Sequence, residues 1–413
     1  MPHQYDLIVY GATGFTGRLV AEYLHATQGV GRKLRWAMAG RSLDKLKQVR
    51  QAIGAGTRLP LLAADATSPD ALAELVGSTR ALITTVGPYQ RHGEDLVKAC
   101  AQAGTDYLDL CGEPVWMARM IPILERPARA SGARIVFSCG FDSIPFDLGV
   151  VFLQHEAKTR FGAALPQVGG RVLSIKGSLS GGTAASALAT FEEIADDPQL
   201  ARTMANPFAL TPGFRGPAQP DGESAAYDEL AQSWTGPFMM ATINTKNIHR
   251  TNALRGHPWG YDFRYDERLM TGRGPKGRLQ ALALAAGSRA QSALLSFGPS
   301  RNLLQRLALP RPGEGPPAEA RERGRYDLRF YGLSADGRHT LAASVKGDRD
   351  PGYGSTSKMI AEAALCLLDD VDRGATPGGV WTPGAAMGLA LVRRLQQRAG
   401  LRFAIEDKTA IAS

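Results

Sequence analysis

The sequence predicts an α/β fold: a Rossmann-type doubly wound parallel sheet with an inserted α+β second domain. Three observations carry this. A glycine-rich turn, Gly11-Ala12-Thr13-Gly14-Phe15-Thr16-Gly17, directly follows the apolar run Leu7-Ile8-Val9-Tyr10. Strand-like and helix-like segments then alternate through residue 150, the pattern of a parallel sheet covered by helices. After Leu148 the pattern becomes mixed. At 413 residues the chain is long enough for two domains. The expected division is 1–150 plus 352–413 for the nucleotide domain, and 151–351 for a substrate and dimerisation domain.

In the first part, strands are expected at Leu34–Gly40, Leu59–Ala64, Ala81–Val86, Tyr107–Leu110 and Arg134–Ser138. Helices fit Gly17–Ala26, Ser42–Ile53, Ser68–Leu75, Gly93–Ala103 and Glu113–Ser131, with Ser42 and Ser68 as N-caps because their hydroxyls can accept from free N–H groups in the first turn. Beyond them, Arg171–Leu179 reads as a strand, and Ser180-Gly181-Gly182-Thr183 opens a helix to about Ala195. The stretches 206–222 and 310–324 are rich in Pro and Gly and read as loops. Tyr326–Leu333 and His339–Lys346 form a hairpin around Asp336-Gly337. Helices are expected over Ser355–Asp370 and Trp381–Ala399.

Composition is ordinary for a water-soluble globular chain, 44% apolar and 21% charged. Cys100, Cys111, Cys139 and Cys366 lack metal-ligand spacing, so free thiols and no metal site are expected. With no signal-peptide pattern at the N-terminus, this points to a cytoplasmic location. Net charge is +9, and sixteen Lys or Arg against seven Asp or Glu lie between Lys246 and Arg329. Such a segment suits an acidic carrier protein, a CoA or a membrane surface, or is simply a solvated basic face. Nucleic acid is not expected, since no binding motif accompanies the charge. The run Leu279–Phe297 is interrupted by Gly287, Ser288, Arg289 and Gln291, so it does not span a bilayer. It reads as a surface or buried helix, or as an interfacial one giving peripheral membrane contact through Arg278, Arg289 and Arg301.

The glycine turn carries the clearest chemistry. Gly11 permits the tight turn, Gly14 a close approach to a pyrophosphate, and Gly17 close packing of helix on strand. Free N–H groups at the helix start would receive the phosphates. The second expected strand ends in Gly40-Arg41-Ser42 rather than in an acidic residue. A guanidinium pairs with a 2′-phosphate and Ser42 adds a hydroxyl, which predicts NADP(H) over NAD(H). Asp65 fits either an adenine contact or a helix cap, and Thr85-Val86-Gly87-Pro88 would line the ribose and nicotinamide.

Taken together, several segments resemble the saccharopine dehydrogenase-like oxidoreductase family. They are Gly11–Gly17, Ala39–Ser42, Val86-Gly87-Pro88-Tyr89, Tyr107–Glu113 and Gly140-Phe141-Asp142-Ser143-Ile144-Pro145-Phe146-Asp147. Leu309–Pro316, Gly347–Tyr353 and Gly379–Ala385 are similar to the bacterial branch that contains trans-acting enoyl reductases. That resemblance implies NADPH-dependent reduction of a carbon–carbon double bond on an acyl thioester, in lipid or polyketide metabolism. It also implies an acyl or other lipid-like substrate; a homodimer is expected.

Enoyl reduction needs a hydride at the β-carbon and a proton at the α-carbon, and the groups that supply them must sit at the carboxyl ends of the strands. Tyr89 is a candidate proton donor or a packing aromatic. Asp142 is a candidate acid or a turn cap. Cys139, Lys246 and Arg250 are candidate substrate contacts, the last two for a phosphate of CoA or phosphopantetheine, against a buried thiol and solvated surface. Glu113 either binds substrate or caps a helix. The alternatives to enoyl reduction are an amino-acid or imine dehydrogenase, which would need Arg91, Arg250 or Arg264 to clamp a carboxylate, and a protein that binds NADPH or lipid without turnover.

Overall fold

The computed structural model describes residues 3–31, 33–177, 181–299 and 315–406. The first sheet has seven strands, all parallel, in the order β13-β6-β5-β4-β1-β2-β3. They are β1 (Tyr5–Tyr10), β2 (Trp36–Gly40), β3 (Leu61–Ala63), β4 (Thr79–Thr84), β5 (Asp106–Leu108), β6 (Arg134–Val136) and β13 (Gly379–Trp381). Covered on both faces, such strands need continuous apolar runs; Leu7, Ile8, Val9, Leu82, Ile83 and Ile135 are fully buried. Strand order reverses at the β1/β4 junction, where open α/β sheets bind ligands beyond their carboxyl ends.

Helices α1 (Phe15–Gln28), α2 (Leu43–Ala52), α3 (Pro69–Gly77), α4 (Tyr89–His92), α5 (Glu94–Ala103) and α6 (Pro114–Ser131) connect these strands, and α7 (Ile144–Phe161) leaves the sheet. The expected caps are present: Ser42 accepts from Lys45 N–H and Ser68 from Ala71 N–H.

The second sheet is mixed, in the order β14-β12-β11-β7-β10-β9-β8. It comprises β7 (Gln167–Lys176), β8 (Ala226–Asp228), β9 (Ser233–Pro237), β10 (Arg264–Gly272), β11 (Arg325–Leu333), β12 (Thr340–Gly347) and β14 (Leu401–Glu406). The hairpin β11–β12 pairs Leu333 with Thr340, and Gly337 adopts φ +70° in its turn, a left-handed conformation that glycine reaches without strain. Helices α8 (Gly181–Asp196), α9 (Leu200–Ala205), α10 (Ala241–Leu254) and α11 (Gly274–Ser296) accompany this sheet.

Three expectations are corrected here. Trp381–Ala399 is not one helix: Trp381 ends β13, Thr382 caps the short turn Pro383–Ala386, and Gly388 at φ +47° restarts a helix over Gly388–Arg398. The last strand, β14, pairs with β12 in the second sheet, so the C-terminal part of the chain serves both sheets. Lys246 and Arg250 lie within α10 with both side chains buried, so neither belongs to the solvated surface expected as their alternative. Expectations for Ser180, for Arg301 and for most of Leu309–Pro316 fall outside the described residues. All four cysteines are free and buried. Among the described residues no helix is long and apolar enough to cross a membrane, and no three His, Cys, Asp or Glu side chains converge as a metal site.

A buried ion pair ties the end of the first sheet together. Arg134 Nε donates to Asp106 Oδ2 at 3.1 Å, Arg134 Nη1 reaches the Val371 carbonyl, and Arg373 joins Asp106 from the rim. Removing one partner of such a pair leaves a buried charge undercompensated. Arg134→Met is expected to lower unfolding stability by about 3 kcal/mol, with Arg373 left as a partial partner. Urea denaturation of both proteins measures it.

Candidate functional site

The cofactor cradle follows from how tightly β1, α1 and β4 are packed. Gly11 adopts φ +82°, and a Cβ there would lie 2.5 Å from Val86 Cγ2. A Cβ on Gly17 would lie 2.2 Å from the Gly11 carbonyl oxygen and 2.8 Å from Thr85 Oγ1. Gly14 heads α1 in an extended conformation with no side-chain cap, so the first N–H groups of the helix stay open at its positive end. A turn that excludes side chains and an uncapped helix start fit a dinucleotide pyrophosphate. Ala12 is buried under the turn, Thr13 packs near Gly40, and Thr16 faces the neighbouring cavity. The Phe15 ring turns away to Tyr353, 4.8 Å between centroids, and so bridges to the second part of the chain.

At the end of β2, Arg41 is exposed, and the Ser42 hydroxyl oxygen caps α2. Asp65 Oδ1 accepts from Thr67 N–H and Oγ1–H, which holds its carboxyl below the usual carboxylate range. It therefore shapes the β3–α3 turn, while Ser68 caps the helix. Val86 N–H bonds Thr84 Oγ1, and Gly87-Pro88 leads from β4 into α4.

A cavity of about 290 Å³ opens beside this cradle, at the carboxyl ends of the strands. Thr16, Thr85 and Gly87 form its cofactor side, and α8, the Pro237–Met240 segment and α11 form the opposite side. Tyr89 and Asp142 both line it. The Tyr89 hydroxyl donates to the Thr84 carbonyl at 3.3 Å and accepts from Leu110 N–H at 3.0 Å, and burial drives its pKa far above the ordinary phenol value. Asp142 accepts from Thr183 Oγ1 at 3.3 Å, and burial pushes its carboxyl up to about 6. It is thus poised near neutrality, where an acid catalyst works best.

The remaining expected contacts are not brought into this cavity. Cys139 is fully buried beneath it, its thiol near backbone carbonyls and its pKa driven up by burial. Lys246 Nζ donates to the carbonyls of Met204 and Thr242, and burial pushes its pKa down to about 8. Arg250 spends its guanidinium on the carbonyls of Leu210 and Val380. The two cations tie α9, the Leu210 turn and β13 to α10, and a phosphate cannot reach them without displacing these bonds.

Glu113 has a larger structural role than the sequence suggests. Its carboxylate accepts from Tyr89 N–H and Gln90 N–H, capping α4 rather than α6, and from Ser186 Oγ–H on α8. Burial raises its pKa against those hydrogen bonds. Ser186 carries no sequence signal; only folding brings α8 over α4. Ser143, in the cavity wall, is likewise held by Asn244 and Asn247 of α10.

Comparison with known proteins agrees with this architecture. A family model described as the saccharopine dehydrogenase NADP binding domain matches residues 7–136. A Mycobacterium tuberculosis protein provisionally named as a trans-acting enoyl reductase is 40% identical over 411 residues, covering 95% of this chain and 96% of its own length. A protein named trans-acting enoyl reductase from Mycobacterium ulcerans is 37% identical over 410 residues, with the same two coverages. Among solved structures, apo saccharopine dehydrogenase (L-Glu forming) from Saccharomyces cerevisiae aligns over 98% of this chain and 100% of that one, with TM-score 0.55 and 12% identity, a likeness of fold alone.

A bidentate guanidinium–phosphate contact contributes about 1.5–3 kcal/mol. Replacing Arg41 with Asp is therefore expected to weaken NADPH binding roughly 10- to 100-fold while changing NADH binding little. Fluorescence titration of the two nucleotides against both proteins measures this preference.

Proposed function

The chain belongs to the saccharopine dehydrogenase-like oxidoreductases, as an NADP-dependent enzyme, and from that premise we propose that it reduces the carbon–carbon double bond of an enoyl thioester. One observation carries the choice of substrate: among the described residues no Arg or Lys lines the cavity. An amino-acid dehydrogenase, or an imine dehydrogenase whose substrate carries a carboxylate, needs a cation for that carboxylate. Of the three arginines available for that purpose, Arg91 pairs with Glu192, Arg250 is buried on carbonyls, and Arg264 is exposed at the start of β10. The wall is instead largely apolar, with Phe191, Phe238, Met240, Ile243 and Leu295. That lining suits an uncharged acyl group.

In this reading the glycine turn and the α1 start hold the pyrophosphate, Arg41 and Ser42 the 2′-phosphate, and Thr85 through Pro88 the nicotinamide side. NADPH, when bound, supplies the hydride for the β-carbon. Asp142, kept protonated in part by burial, gives the α-carbon its proton. Tyr89 is a positioning residue: its phenol fixes the β4 and β5 loops to each other. Phe238 and Met240 exclude water. The acyl group arrives as a thioester of CoA or of an acidic carrier, and the exposed Lys276, Arg278 and Arg289 of α11 offer the cationic surface for either. The same cations would serve a peripheral membrane contact, and a homodimer remains the expected assembly.

Mixing the protein with NADPH and crotonyl-CoA tests the reaction, with 2-oxo acids plus ammonia as the competing substrates. Loss of nicotinamide absorbance with crotonyl-CoA, and deuterium from labelled NADPH at the β-carbon, is the expected result; turnover only with the oxo acids would overturn it. For the acid, kcat/KM is expected to be highest below about pH 6. It should fall as pH rises and Asp142 loses its proton. Asp142→Asn should abolish that dependence and lower kcat about 100-fold or more. Tyr89→Phe should cost less than about tenfold, since it removes a packing hydrogen bond rather than the proton source.

A further inference from the structure

A second cavity, of about 780 Å³, opens beside the first. The two adjoin, because Asp142, the Pro237–Met240 segment, Ser288, Gln291 and Gly352 line both. Asp142, at the junction, is the second chamber's one charged lining residue among the described residues. Elsewhere its wall is made by side chains such as Ile175, Leu269, Met270 and Leu284.

Helix α11 is the roof. Gln280, Ala283, Leu284, Gly287, Ser288 and Gln291 recur at three- and four-residue spacing and so share one face. The helix is anchored at its start, where Arg278 lies over the Trp234 ring and Leu284 meets Gly236 of β9. Further along, small residues leave space beneath it: a Cβ added at Gly287 meets nothing within 4 Å. The lining residues Ile175, Met239 and Leu284 stay 38%, 47% and 38% exposed. Apolar surface left open in a concave chamber that shares its lining with the candidate catalytic cavity calls for an apolar occupant joined to the reacting group.

We infer that this chamber binds the saturated alkyl chain of the substrate beyond the reacting double bond, and that α11 sets how long a chain is accepted. The inference rests on the enoyl-thioester reading. The acyl carbons at the double bond lie by Asp142, and the chain then passes Phe238 and Met239 to run beneath Gly287 and Leu284. An anionic tail is rejected, because among the described residues no Arg or Lys lines the chamber.

Two measurements test it on the full chain loaded with NADPH or NADP+. The first compares enoyl thioesters from crotonyl to dodecenoyl. Each buried methylene is worth about 0.8 kcal/mol in transfer from water, so KM should fall roughly two- to fourfold per added carbon once the chain enters the chamber. Gly287→Leu fills the space beneath the roof and improves helix propensity, so it should fold. It should leave crotonyl kinetics unchanged and flatten the gain with chain length. Ala283→Phe, one turn earlier, should do the same. The second measurement is direct binding of N-phenyl-1-naphthylamine, an uncharged apolar probe, read by fluorescence, which is independent of turnover. Binding by the parent protein that is lost in both variants supports the chamber, even if no thioester is reduced and the reaction reading fails. Full chain-length gain in both variants overturns the chamber while leaving enoyl reduction standing. Absent probe binding, or probe binding unchanged by the variants, likewise overturns it.

Discussion

The distance between α1 and the strands beside it governs the rest of the nucleotide half. At Gly17 even a methyl group would enter the van der Waals envelope of the Gly11 carbonyl and the Thr85 hydroxyl. With no side chains between them, α1 presses its start onto the junction where strand order reverses. Its open N–H groups then face the same space as Gly87 and Tyr89 from β4. A helix displaced by one methyl would move those donors away from the pyrophosphate, since helix-end electrostatics fall off within a single turn. The three glycines thus fix one spatial relation, and the position of the cavity follows from it.

A second constraint joins the two sheets across that cavity. Glu113, after β5, accepts hydrogen bonds from the start of α4 and from Ser186 on α8. The carboxylate is buried, so losing any of these donors would leave charge undersatisfied. Phe15 against Tyr353 makes a parallel, apolar link from the glycine turn to the far side. Cofactor side and substrate side are therefore held by contacts that begin in the cofactor-binding motifs themselves. This accounts for a cavity wall built largely from residues far away in the chain.

Much of the nucleotide half was legible because its determinants are local. A strand, a glycine turn and a helix start are contiguous in sequence, and caps such as Ser42 and Ser68 act within three residues. The site's far wall was not legible in the same way. Ser186, Met240 and Gln291 reach the cavity only through the packing of α8, the Pro237–Met240 segment and α11, and no spacing announces it. Lys246 and Arg250 show the opposite failure: two cations at helical spacing read as an anion site, yet tertiary packing buried α10 and gave them backbone carbonyls as partners. The break of the expected 381–399 helix was written in Pro383, Gly384 and Gly388, whose backbone preferences outweigh the apolar periodicity there.

Sequestration of charge links substrate choice to proton chemistry. The basic excess read along residues 246–329 divides on folding: Lys246, Arg250 and Arg268 turn inward onto carbonyls and carboxylates, while Lys276, Arg278 and Arg289 stay outside. Among the described residues none of these cations enters the cavity. A cation in that lining would attract a substrate carboxylate, and it would also hold the Asp142 carboxyl down by favouring its charged form. Without one, burial dominates and Asp142 is pushed up to about 6. The same omission that disfavours an amino-acid substrate therefore keeps a proton available for a carbanion-like α-carbon. Introducing a lysine into the cavity wall would change both properties together, because they are two consequences of one electrostatic arrangement.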